Sequence, residues 1–287
     1  MAKSTKDLLN DNNFGFKKKY GQNFLTNPKI PERISMSVLP DKTEDPELSV
    51  LEIGAGAGAL TVNLAKRYKK VCALEIDESL KSTLSEVLAD HPNAEVVFQD
   101  IMKTDIASFC KEKFGNGPIA VCANLPYYIT TPIIMALFES GVIFESITVM
   151  VQKEVALRIC SKAGDADYGA FTAVTALYSD AKKLFDVGKG NFYPIPKIDS
   201  SIVRFIPHRS KYDKVDKTTV QSVIKAAFSQ RRKTLYNCLS SSFSDKMSKD
   251  EIEKCIIAAD IDPKIRAEEL NVDQFIALSS KLQDKII

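Results

Sequence analysis

The sequence predicts an α/β protein: a Rossmann-like, mostly parallel sheet wound by helices, followed by a small all-helical C-terminal domain. Three observations carry this. Short apolar runs rich in β-branched residues recur through the first half, each followed by a helix-like stretch, and a glycine-rich turn joins the first run to its helix. Beyond Val220 only helical periodicity remains.

The strand runs are VLEI at 50–53, VCALEI at 71–76, AEVVFQ at 94–99, IAVCAN at 119–124 and SITVMV at 146–151. Runs of this kind suit strands buried on both faces of a parallel sheet, with ALTVNLAKRY at 59–68 and ESLKSTLSEVLAD at 78–90 as crossover helices. After Gly164, AFTAVTALYSDAKKLF and SSIVRFIPH read as late strands that close the sheet, with an antiparallel pairing among the options. Helices then follow in VQSVIKAAFSQRRKTLYNCLSS, KDEIEKCIIAAD and NVDQFIALSSKLQD. The polar stretch HRSKYDKVDKTT at 208–219 marks the boundary, giving domains 1–208 and 209–287.

With 287 residues, 45% of them hydrophobic, the chain can fill an ordinary core. Its six cysteines are scattered without a C-x-x-C pair, and only His91 and His208 are available to complete a metal shell. Neither zinc nor a disulfide framework is expected, and a reducing compartment fits. The first residues lack the apolar core of a secretory signal, and no run approaches the ~18 apolar residues of a membrane span. The expectation is a cytoplasmic protein with no membrane partner.

Net charge is only +2, but it is unevenly placed: residues 1–33 hold seven Lys/Arg against three Asp/Glu, residues 209–249 hold ten against three, and residues 250–287 hold five against nine. Two basic zones suit a polyanion-binding surface; a solvated lysine-rich face has the same composition.

The segment EIGAGAGA from Glu52 to Ala59 follows a strand and opens a helix. Glycines at Gly54, Gly56 and Gly58 permit the sharp turn and let backbone lie against a ligand. An adenosine-bearing cofactor is expected, although Gly54, Gly56 and Ala59 also satisfy the dinucleotide fingerprint, and a ligand-free turn uses the same residues. Glu75, at the end of the next strand, can accept hydrogen bonds from ribose hydroxyls in either cofactor. Asp100, ending the third strand, can accept from an adenine amino group or cap the following helix. Glu52 would crowd a pyrophosphate but suits the cationic methionine end of S-adenosylmethionine, or pairs with a lysine. Together the three acids favour S-adenosylmethionine.

The fourth strand ends in Asn124-Leu125-Pro126-Tyr127. An exocyclic adenine amine is a poor nucleophile because its lone pair is delocalised, so an enzyme must orient it. The Asn124 side-chain oxygen and the Leu125 carbonyl can each accept from that amine, and Pro126 keeps Leu125 extended. Tyr127 is expected to stack on the base, with Phe192 on its opposite face, each contact contributing ~1–3 kcal/mol. A plain strand-to-turn junction explains the tetrapeptide equally in isolation, and a core aromatic explains Phe192.

With these residues in view, the chain resembles the KsgA family of rRNA adenine N6,N6-dimethyltransferases, from about residue 17 to 275. KKKYGQNFL at 17–25 resembles the family's N-terminal signature, NLPYYITTP at 124–132 its catalytic motif, and NFYPIPKIDSSIVRF its aromatic-proline segment. The glycine loop departs by carrying Ala55 where proline is usual. The resemblance implies a class I methyltransferase sheet, S-adenosylmethionine as cofactor, and cofactor contacts from Gln22, Asn23 and Leu25; because spent cofactor must be exchanged between transfers, Gln22, Asn23 and the preceding basic residues are expected to form part of a movable cover. It also implies a monomer that dimethylates two adjacent adenosines near the 3′ end of small-subunit rRNA, within an immature subunit.

The Erm-type enzymes that modify large-subunit rRNA share GQNFL and the Asn-x-Pro-aromatic element. AFSQRRKTLYNCLSS at 227–241 and DIDPKIRAEEL at 260–270 resemble the small-subunit enzymes instead. There Arg231, Arg232 and Lys233, expected on a helix, form a cationic cluster suited to rRNA phosphates or simply an exposed face. For Lys153 and Glu154, a surface salt bridge and an RNA contact are both open. A non-catalytic nucleic-acid-binding factor and an NAD-dependent dehydrogenase are the remaining alternatives.

Overall fold

A computed structural model describes Leu8, Gly15, Lys17, residues 21–40 and residues 45–286. Lys18, Lys19 and Tyr20 of the N-terminal signature lie outside the described residues. In chain order, β1 (Phe24–Leu25) and α1 (Lys29–Ser35) precede β2 (Ser49–Ile53), α2 (Ala59–Ala65), β3 (Lys70–Glu75), α3 (Lys81–Val87), β4 (Ala94–Phe98) and α4 (Ile106–Phe114). Next come β5 (Ile119–Asn124), α5 (Thr130–Glu139), β6 (Ile147–Gln152), α6 (Lys153–Ile159), α7 (Ala170–Tyr178), β7 (Ser179–Val187), β8 (Phe192–Tyr193) and β9 (Ser200–Pro207). Four helices end the chain: α8 (Lys217–Ala227), α9 (Leu235–Ser242), α10 (Lys249–Ala258) and α11 (Val272–Ile286).

Every one of the five expected parallel strands is present. They lie side by side as β4-β3-β2-β5-β6, all parallel, and the sheet continues through β9 to β7. β9 runs antiparallel to β6, with Val149 opposite Val203. Strand β2 is buried along its whole length, whereas β4, at the edge, is half-buried throughout. On one side Leu60 and Leu64 of α2 pack with Val50, Val71, Ala120, Met150 and Ile202 into the main core. Strand order reverses between β2 and β5, because β3 and β4 are laid to one side and β5 and β6 to the other. Loops diverge at such a switch point, and a crevice opens at the carboxyl ends of the strands.

Two compact units make up the chain: one runs to Ala156 and includes Lys182–Pro207, while the other comprises Leu157–Ala181 and His208–Ile287. The expected boundary at 208/209 therefore missed the segment 157–181, which clusters with the C-terminal helices. Its anchors are specific: the Tyr168 hydroxyl donates to the Leu270 carbonyl (2.8 Å), Gly164 N–H donates to the Glu268 carbonyl (2.8 Å), and the Tyr168 ring meets Phe228. AFTAVTALY, expected as strand, is helix α7. Ala173 and Leu177, four residues apart, are both fully buried, a helical spacing hidden in a run whose only polar members, Thr172 and Thr175, are buried as well.

Arg231, Arg232 and Lys233 also depart from expectation, since they occupy a turn between α8 and α9 and not a helix. Thr234 adopts extended geometry and its side chain accepts from Asn237 N–H, so the second helix begins only after the basic cluster. α8 starts on the Asp216 cap and α10 on a Ser248–Glu251 capping box.

Candidate active site

The crevice at the switch point is lined by the glycine turn after β2, the acids ending β2, β3 and β4, and the segment after β5. Gly54 and Gly56 have φ of 81° and 57°, the left-handed region. A Cβ on Gly54 would stand 3.7 Å from the Asn124 carbonyl oxygen, and one on Gly56 would press the Phe24 ring at 3.2 Å. The glycines thus bring the turn close to the end of β5 and to β1. Gly58 behaves differently. It does not line the crevice; a Cβ there would meet Val87 at 3.0 Å, so this glycine lets α2 approach α3.

The acids are not equivalent. Glu52 is wholly inaccessible, and neither carboxylate oxygen has a hydrogen-bond partner. Burial pushes its carboxyl up to about 8; the Thr61 hydroxyl offsets this only partly, without completing a hydrogen bond, and the Glu75 charge adds to it. Among the described residues no lysine pairs with it, so a buried carboxyl with no hydrogen-bond partner among them lines the crevice. Glu75 is better satisfied: Oε2 accepts from Gly56 N–H (2.8 Å), and Oε1 accepts from Ile76 and Asp77 N–H (2.9 Å each). Burial raises its pKa, and those three backbone donors act against the rise. Asp100 does cap the turn that follows, accepting from Met102 N–H through Oδ1 (2.9 Å), and also lines the crevice.

At the end of β5, Asn124 lines the crevice and its Nδ2 donates to the Asn23 carbonyl (3.2 Å), which orients the side-chain amide. Pro126 is extended (φ −60°, ψ 128°), and its carbonyl accepts from Ile129 N–H and the Thr130 hydroxyl. Tyr127 lines the same crevice with its hydroxyl 2.7 Å from Ser200 Oγ; burial raises its pKa, and this bond opposes the rise. Phe192 does not join it. At 2% exposure its ring belongs to the main core, paired with Leu25 across the β1–β8 ribbon. The expected stacking face is therefore closed here, whereas Tyr128, which also lines the crevice, is 57% exposed.

Residues 21–25 border the crevice, with Phe24 inserted among Ala55, Ala57 and Leu84. Gln22 has its amide occupied: Nε2 donates to Asp77 Oδ2 (2.8 Å), and Oε1 accepts from Lys17 N–H (3.2 Å). It acts on its neighbours before any cofactor. Sequence reasoning missed Asp77 and Ile76. The latter is a crevice residue left 41% exposed, and an apolar residue directly after a strand-ending acid was the available signal. Lys153 forms a surface salt bridge to Asp186 (3.3 Å), and Arg231 donates to the Ala166 carbonyl (3.2 Å), while Arg232 and Lys233 are exposed.

Comparison with known proteins decides among the chemistries such a crevice can host. The profile of the ribosomal RNA adenine dimethylase family matches residues 13–284. The chain belongs to that family. Proteins named ribosomal RNA small subunit methyltransferase A from Bacillus licheniformis and Clostridioides difficile are 40% and 38% identical, each match covering 99% of this chain and 97% and 96% of theirs. A dimethyladenosine transferase from Plasmodium falciparum superposes with a TM-score of 0.75 at 25% identity, covering 92% of this chain and all of the other. The 23S rRNA methyltransferase ErmE follows at 0.66 and 26%, covering 91% and 99%. Within this family the sheet is the class I methyltransferase sheet expected from the resemblance. Among the described residues no cluster of His, Cys, Asp and Glu suits a metal ion, and no helix is long and apolar enough to cross a membrane.

Proposed function

We propose that this chain transfers methyl groups from S-adenosylmethionine to the N6 amines of two adjacent adenosines near the 3′ end of small-subunit rRNA, acting as a cytoplasmic monomer on a partly assembled subunit. The observation that carries the reading is Asn124, a crevice residue beside Leu125 and the glycine turn, whose amide is oriented by its bond to the Asn23 carbonyl. Relatives named for the small subunit match nearly the whole chain at 38–41% identity, against 26% for ErmE, which favours the small-subunit substrate.

The residues present fit the cofactor. Glu52 offers two unpartnered oxygens to a methionine ammonium, a partner that would relieve its burial, while a pyrophosphate there would meet a buried acid. Glu75 Oε2, with one backbone bond, keeps acceptor capacity for a ribose hydroxyl, and Asp100 retains Oδ2 for an adenine amino group. Ile76 and Ile101 supply apolar walls. When bound, S-adenosylmethionine supplies an electrophilic methyl on a cationic sulfur.

The protein's part in the reaction is orientation. In the first transfer Asn124 Oδ1 and the Leu125 carbonyl accept from the two amine hydrogens, and in the second one of them accepts the single hydrogen that remains, drawing the nitrogen toward tetrahedral geometry with its lone pair aimed along the transfer axis. Tyr127, anchored by Ser200, offers a ring to the base. Methyl transfer leaves the nitrogen positively charged, and this cation is acidic enough to give its proton to water, so no dedicated base is needed. Arg232 and Lys233 provide phosphate contacts in the C-terminal unit, with Arg231 bracing the loop at Ala166.

Tritium transfer from labelled S-adenosylmethionine to small subunits lacking the modification tests this directly. About four methyl groups per subunit, lost in Asn124→Ala, are expected. Incorporation into large subunits alone would overturn the substrate assignment, and none at all would overturn the activity.

A further inference from the structure

Asp77 is a fully buried carboxylate on the loop that carries Glu75, and its own turn already provides for it: Ser79 N–H and Oγ both donate to Oδ1 (3.1 and 2.6 Å). Yet it takes two further donors from the opposite side of the crevice in sequence. Lys17 Nζ donates to Oδ1 (2.5 Å), and Gln22 Nε2 donates to Oδ2 (2.8 Å), across 60 and 55 residues of chain. Gln22 is in turn held by Lys17 N–H, so the two donors form a closed clasp on one acceptor.

The clasp is continuous with the site at both ends. Asp77 N–H donates to Glu75 Oε1 (2.9 Å), the acid assigned to the ribose. One residue beyond Gln22, the Asn23 carbonyl accepts from Asn124 Nδ2, which sets the direction of the amine-orienting oxygen. Gly21, at φ 57°, lies under the Tyr128 ring at a separation that a Cβ would reduce to 3.4 Å, so this stretch is seated on both sides of the crevice.

We propose that Asp77 is the positioning residue for the cofactor cover, clasping Lys17 and Gln22 so that residues 21–25 close over the adenosine end of the cofactor. This rests on the cofactor reading above. Burial alone would push the Asp77 carboxyl up, but hydrogen bonds from Lys17, Ser79 and Gln22 hold it below the usual carboxylate range. Withdrawing Lys17 leaves that buried charge without its cation, which opposes opening. Each dimethylation needs two methyl transfers, so spent cofactor has to leave between them, and release of this clasp is the step that lets it go.

The test is the dissociation rate of S-adenosylhomocysteine from the full chain, measured by stopped-flow, with hydrogen exchange of residues 21–26 read in parallel without cofactor. Asp77→Asn keeps an N-cap residue in place, and Lys17→Met alters a side chain 40% exposed, so both variants retain the fold. Each is expected to speed dissociation about tenfold and exchange in the cover by a similar factor. KM for S-adenosylmethionine should rise about tenfold while kcat falls less than threefold. Lys17→Arg should restore wild-type rates, and the double variant should dissociate no faster than either single one. Rates within twofold of wild type in both variants, or faster exchange with unchanged dissociation, would overturn the role. A wild-type chain that binds no S-adenosylhomocysteine would overturn the cofactor reading itself, and with it the clasp's purpose.

Discussion

The crevice and the basic turn at 230–233 are both assigned to one reaction, yet they are built on opposite physical plans. In the crevice, Glu75 is held by three backbone donors and Asn124 by the Asn23 carbonyl, while Glu52 is buried with both oxygens unpartnered. In the turn, the Arg232 and Lys233 side chains stand in solvent, and the Arg231 side chain donates to the Ala166 carbonyl. A preorganised site loses its function when one atom moves, because its partners do not rearrange to compensate. An exposed cationic cluster loses it in increments, each charge contributing its own share of counterion release.

The largest expected effect is at Asn124. Replacement by Ala should lower the methyl-transfer rate at saturating substrates by about 100-fold or more, with little change in melting temperature. A loss under tenfold would mean that the Leu125 carbonyl orients the amine alone. Next comes Gly56→Ala, which combines φ of 57° with a Cβ 3.2 Å from the Phe24 ring. It should cost about 1–3 kcal/mol in thermal unfolding and weaken cofactor binding in calorimetry.

Glu52→Gln separates stability from binding. Its folded carboxyl titrates at about 8 against an ordinary 4.5, so between those values the folded chain keeps a proton that the unfolded chain gives up. Stability is therefore undiminished below the lower value and falls as pH rises toward the upper one. Gln removes that decline: the variant should be more stable than wild type at pH 8 by about 1–3 kcal/mol, equal to it at acid pH, and poorer in cofactor binding. A variant that binds the cofactor as tightly as wild type would remove Glu52 from the ammonium site. The smallest effect is in the turn. Arg232→Ala and Lys233→Ala should each weaken RNA binding only a few-fold and reduce the salt slope by about one. Arg231→Ala should instead cost about 1 kcal/mol of stability, through its lost bond to Ala166.

What the sequence disclosed and what it withheld divide along the range of the interactions. The five parallel strands were legible because each carries a short, mostly apolar, β-branched-rich run, fully buried in β2 and half-buried at the β4 edge, and the crevice followed from the glycine turn and strand-ending acids. α7 was misread because a nine-residue apolar run has no visible period. Phe192 was misplaced for a different reason. In a two-residue strand, pairing alone decides which side chain turns inward, and the register with β1 sends Phe192 to the core beside Leu25. Asp77 was invisible because both its distant donors come from residues 55 or more positions away.

The β1–β8 ribbon also constrains how the enzyme comes into being. Phe24 pairs with Tyr193 and Leu25 with Phe192, and the Asn191 carbonyl accepts from Thr26 N–H (2.9 Å). A ribosome making this chain has delivered every glycine, acid and amide of the crevice by Tyr127, but the strand that seats the cover emerges some 65 residues later. During that interval the nascent protein holds the crevice's polar groups without the strand that pairs β1, so the ribbon bordering the crevice closes only late in synthesis.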